Sequence, residues 1–136
     1  MSNAFDVHIA TLDIPADLAH TGPILVPVFR APAAANGGGV TILEARAYNG
    51  TALAGAGTTF TLTLVNGGTT GLTAEGTIGA AIGSATQWST RTFQSWTIDA
   101  TKRYVGAGEW VSVQYDELNG GNNAHCHIEV AYIMGN

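Results

Sequence analysis

Apolar and polar residues alternate with a period of two over several stretches of this chain, the spacing of a strand with one face buried. Phe60, Leu62 and Leu64 alternate with Thr59, Thr61 and Thr63, and Val111, Val113 and Tyr115 alternate with Ser112, Gln114 and Asp116. Ile128, Val130, Tyr132 and Met134 form a third apolar row opposite His127, Glu129 and Ala131. Near residue 45 the pattern is ambiguous: Leu43, Ala45 and Ala47 lie opposite a row that mixes Ile42 and Tyr48 with Glu44 and Arg46. Further strands are expected over residues 5–11, 76–82 and 87–98. Breakers separate these runs at Asn49-Gly50, Asn66-Gly67-Gly68, Gly106-Ala107-Gly108 and the Gly/Asn stretch 119–123. Helical signals are weak: residues 14–19 can form one turn with Asp13 as its cap, and 52–56 is interrupted by Gly55 and Gly57. About eight strands predict an all-β fold, an antiparallel β-sandwich of jelly-roll type. An immunoglobulin-like sandwich is the alternative, but its Cys, Trp, Cys framework is missing.

Proline divides the chain. Pro15, Pro23, Pro27 and Pro32 all precede the triplet Gly37-Gly38-Gly39, and no proline follows. Proline removes a ladder donor, so residues 24–30 read as an edge strand or an extended arm and not as a central strand. The expected organisation is an N-terminal strand and proline-rich arm over 1–39, then a sandwich domain over 40–136.

Composition narrows the function. The chain has 136 residues, 46% of them hydrophobic and only 11% charged, with 18 glycines and a formal net charge of −5. That length is one domain, and the charged fraction is under half the usual ~25%, so the exterior must be largely Thr, Gly, Ala, Asn and Ser. With five basic against ten acidic side chains, no electrostatic footprint exists for a phosphate backbone or an anionic bilayer; neither nucleic acid nor membrane is expected as a partner. Cys126 is the single cysteine, so no intrachain disulfide can form. The first residues lack the pattern of a secretory signal.

His125-Cys126-His127 with Glu129 is the one constellation that invites metal chemistry. On a strand the imidazoles and the carboxylate project from one face, and that donor set binds divalent transition metals. The His-x-His step resembles that of cupins, but Glu129 follows by two residues where the cupin acid follows by four or five, and position 119 is Asn where the cupin pattern has Gly. His8 or His20 would have to supply a third ligand. No metal or other cofactor is assigned. The acidic and amide residues around 116–123 lack the ligand register of a calcium loop, and Gly106-Ala107-Gly108 lacks the lysine of a phosphate loop; both read as turns. No nucleophile elbow or catalytic cysteine signature is present, and no catalytic residue is assigned. Trp88, Trp96, Trp110 and Tyr104 stand outside the plainest core rows, where a large rigid ring can serve as an anchor or as core; for Trp96 and Trp110 both readings stay open.

The stretch from Tyr104 to Tyr115, with the Gly/Asn loop and last strand behind it, resembles the closing hairpin of small jelly-roll structural proteins of tailed bacteriophages. The Thr/Gly/Ala-rich strands before it are similar too. That resemblance implies a capsid decoration, or cement, protein: a non-enzymatic virion component, commonly a trimer, made in the host cytoplasm and bound to the capsid exterior, where it bridges subunits of the major capsid protein. The sparse charge points the same way, since interface cores are depleted in charge. The candidate interface comprises Pro15, Pro23, Pro27, Pro32, Trp88, Trp110 and Tyr104, with the arm as bridging element. The alternatives are a carbohydrate-binding β-sandwich, as in a fibre or lectin, and a cupin-like metal-dependent enzyme.

Overall fold

The computed structural model describes residues 6–15, 23–49, 60–83, 93–117 and 125–135. Among them are nine strands: β1 (His8–Ile14), β2 (Ile24–Arg30), β3 (Val40–Asn49), β4 (Phe60–Asn66), β5 (Gly76–Ile82), β6 (Phe93–Ser95), β7 (Tyr104–Val105), β8 (Trp110–Glu117) and β9 (Cys126–Met134). A short 3-10 turn, Ala34–Asn36, joins β2 to β3. All strand pairs are antiparallel. One sheet runs β1-β9-β3-β6, with β7 also on β3, and the other runs β2-β8-β4-β5. The pairs β1 with β9, β2 with β8, β3 with β6 and β4 with β5 nest inside one another and alternate between the sheets, as when one long hairpin is rolled over itself. That is the jelly-roll connection.

The period-two rows become the core. Leu62, Leu64, Val111, Val113, Tyr115, Ile128 and Val130 are fully buried between the sheets, with Tyr132 and Met134 packed partly buried against them. A β-bulge resolves the ambiguous row on β3. Its register with β9 shifts between Ile42 and Glu44, so one extra residue, Leu43, reverses the alternation. Ile42, Ala45 and Ala47 are therefore all buried, while Glu44 and Arg46 face outward.

Trp96 belongs to the core, at 4% exposure. Its backbone N–H donates to the Ala45 carbonyl of the first sheet, and its indole Nε1–H donates to the Leu62 carbonyl of the second at 3.0 Å. This side chain staples the layers where the β4–β5 register slips after Leu62. On the opposite side, Tyr132 stacks between His8, 5.3 Å away, and Phe29, 4.4 Å away. That stack closes the gap between β1 and β2. The β4–β5 loop folds over the second sheet: Ser112 Oγ donates to the Gly71 carbonyl at 2.8 Å, and Trp110 exchanges backbone hydrogen bonds with Gly67 and Gly68.

The expected boundary at residue 39 separates no structural unit among the described residues. The segment read as a strand plus arm supplies β1 to the first sheet and β2 to the second, and its Ile14 is completely buried. Residues 24–30 do form an edge strand, as the proline indicates, and the ladder with β8 is irregular between Pro27 and Phe29. The first strand is displaced towards the C-terminus, to His8–Ile14, so Asp13 and Ile14 are strand residues and not the start of a helical turn. Of expected strand 87–98, residues 87–92 lie outside the described residues; the rest forms strand Phe93–Ser95 and a single bridge from Ile98 to Gly79. The possible turn at 52–56 and the Gly/Asn loop at 119–123 lie outside the described residues, as do Trp88 and His20.

Candidate functional site

The outward row of β9 places His127 and Glu129 on the exposed face of the first sheet, with His125 just before the strand; Cys126 turns inward and is buried. Register then brings the partners. Asp13 of β1 lies opposite His127 and Arg46 of β3 lies opposite Glu129. Asp13 Oδ1 sits 3.0 Å from both His125 Nε2 and His127 Nδ1. An ionised carboxylate only accepts, so both of those nitrogens carry hydrogen. On the other side of the ring, His127 Nε2 is 3.4 Å from Glu129 Oε1. Arg46 Nε donates to Glu129 Oε2 at 2.7 Å, and its guanidinium stands 4.1 Å over the Phe93 ring of β6. The result is a ladder of polar and charged groups across β1, β9 and β3, ended by the Phe93 ring of β6.

Hydrogen bonding from His127, with a further contribution from His125, holds the Asp13 carboxyl below its ordinary value, and Arg46 does the same for Glu129. Burial pushes the Cys126 thiol up to about 12, so it has little of the thiolate character that reactivity needs. Sequence pattern finds the two histidines and Glu129, but it misses Asp13 and Arg46. Neither carries a local signal, because their place depends on which strands are neighbours and in what register. His8, a candidate third ligand, is instead in the stack with Tyr132. Among the described residues no group of three or more His, Cys, Asp and Glu side chains is arranged to hold a metal ion. The cupin-like arrangement is not reproduced either, since the His pair lies outside the sandwich and the space between the sheets is filled by core side chains.

Beside the ladder, Ile9, Glu44, Arg46, Ser95, Glu129 and Ala131 line an open depression of about 120 Å³. Small-molecule pockets run to roughly 300–1,000 Å³, so this hollow suits a protruding side chain better than a substrate.

The candidate interface residues are dispersed. Pro15 and Pro23 are exposed at the ends of β1 and β2, Pro27 is half-buried within β2, and half-buried Pro32 follows buried Ala31. Trp110 opens β8, partly buried, and a Cβ on Gly71 would meet both its ring and Pro27 at 3.1 Å. Tyr104 is 43% exposed on β7, with its ring over Gly39, where a Cβ would stand 2.5 Å from the hydroxyl. Of the tryptophans that read as anchor or core, Trp96 is interior and Trp110 is partly covered by the β4–β5 loop. Glu109 organises the turn before β8: its Oε2 accepts from Asn66 Nδ2 at 2.8 Å and from the Gly106 N–H at 2.9 Å. The Gly106-Ala107-Gly108 stretch is thus a structured turn.

Searches of family models, of curated proteins and of solved structures return no match to this chain.

Proposed function

We propose that this chain is a non-enzymatic building block, a self-associating jelly roll of a tailed-phage particle that sits on the outside of the head shell and bridges coat subunits. One observation carries the reading. In a chain so short of charge, six large apolar side chains are exposed among the described residues: Val7, Ile9, Leu43, Leu72, Phe93 and Tyr104. A lone soluble domain keeps itself apart with about 25–35% charged surface residues; this one presents Thr, Ala, Ser and exposed apolar groups to be covered by protein. Because β1 and β2 belong to the sandwich, bridging falls to sheet edges, faces and loops and not to a free arm.

Sedimentation velocity and light scattering from micromolar protein test the self-association, with a homo-oligomer expected and a trimer favoured by the resemblance. A monodisperse monomer across that range refutes it. Cosedimentation with head shells assembled from the major capsid protein of the same phage tests the location: saturable binding is expected, and none at micromolar concentration overturns the decoration role.

A further inference from the structure

We infer that β1 is the strand through which this chain joins a second copy of itself, edge to edge and antiparallel, so that the first sheet runs on through a two-fold axis. This rests on the building-block reading. A two-sheet sandwich has four edges, and exposed edges are open to pairing unless they are short, bulged, charged or covered. Three of the four are guarded. β2 carries Pro27, which has no N–H, an irregular ladder at Pro27/Phe29 and Arg30 at its end. β6 is three residues long. β5 slips register twice against β4, and its outer edge is occupied at the middle, where Gly79 bridges Ile98 and the Asp99 N–H donates to the Ile78 carbonyl.

The remaining edge, β1, has seven residues in unbroken register with β9. It contains no proline, lysine or bulge, and among the described residues no strand pairs with its other side. Val7 and Ile9 are 58% and 66% exposed. A peptide of other sequence could use such an edge, but charge favours an identical copy. Between Asp6 and Asp13 the stretch from Val7 to Leu12 holds no Asp, Glu, Lys or Arg, so two molecules of net charge −5 meet along a mostly uncharged run, with Asp13 as the one carboxylate that each copy brings into the overlap. A two-fold axis perpendicular to the sheet keeps outer row against outer row. Full overlap of His8–Ile14 centres that axis on Thr11, and the two Asp13 carboxylates then stand about 14 Å apart along the strands at ~3.4 Å per residue, beyond the ~8 Å screening length. The contact is isologous and closes on itself as a dimer, in place of the trimer that the resemblance implies.

Cross-linking and edge charging test this on the full chain. In an antiparallel pair directly opposed Cα atoms are about 4.5–5.5 Å apart, within disulfide reach; Thr11→Cys should therefore give a disulfide-linked dimer under mild oxidation. Ile9→Cys, off the axis, should not. Ile9→Lys and Thr11→Lys, both on the exposed face, should keep cooperative unfolding while weakening self-association at least tenfold. An oligomer unchanged by both lysine variants, or a Thr11→Cys protein that stays uncross-linked, overturns the β1 contact and leaves the building-block reading standing. A wild-type monomer at all concentrations removes both.

Discussion

Replacing Gly79 by alanine probes how the two sheets are joined. A methyl group at this position would lie 2.8 Å from Trp96 Cβ, 2.9 Å from Cδ1 and 3.0 Å from Cγ, short of ordinary carbon contact at ~3.5 Å by roughly 0.7 Å. The indole cannot retreat freely. It is buried, and its Nε1–H is committed to the Leu62 carbonyl at 3.0 Å, so a shift of that size stretches the bond out of range. Overpacking of this kind costs about 1–3 kcal/mol, and a lost hydrogen bond adds about 1 kcal/mol. Against these stands the ~0.4–1 kcal/mol by which Gly→Ala ordinarily stabilises through the unfolded chain. The net expectation is a loss of about 1–3.5 kcal/mol, or a fall in Tm of roughly 4–12 °C for a domain of this size. Urea denaturation followed by tryptophan fluorescence measures it. Trp96→Ala alone should cost about 3–5 kcal/mol, and in that background Gly79→Ala should become neutral or mildly stabilising, giving a large coupling in the double-mutant cycle. A Gly79→Ala protein within about 0.5 kcal/mol of wild type, or strictly additive effects, would refute the staple.

Three further outcomes follow from the same geometry. Asp13 and Glu129 both have folded-state pKa values below their ordinary ones, so the unfolded chain takes up protons first; the stability they add is present above about pH 5 and is lost as pH falls through the lowered values. Asp13→Asn with Glu129→Gln should therefore flatten the acid limb of a stability-against-pH curve, and an unchanged slope would contradict the ladder. Cys126, buried and raised to about 12, should resist a thiol reagent in the native protein and react on unfolding; rapid native labelling would count against its placement. Deleting residues 1–38 removes β1 and β2, one edge strand of each sheet, together with buried Ile14. Cooperative unfolding should be lost, and a truncated chain that still melts in one sharp transition would show that the two strands are dispensable.

The outward row of β9 was legible because period two is a local property: residues two apart share a face whatever lies beside them. The same logic exposed the rows of β4 and β8, and proline chemistry marked residues 24–30 as an edge. It failed on β3, where a single inserted residue at Leu43 reverses the alternation, and it misassigned Asp13, which read as a helix cap and is a strand residue.

Alternation, breakers and composition already determine, from the chain alone, an all-β sandwich and a sequence poor in charge. Tertiary structure decides what lies opposite what: Asp13 between two histidines, Arg46 against Glu129, Trp96 reaching from one sheet to the carbonyl of the other, and β1 at the edge of its sheet. Register and neighbour order set those relations. They arise from packing between segments as far apart as residues 13 and 127, and no window of neighbouring residues carries them.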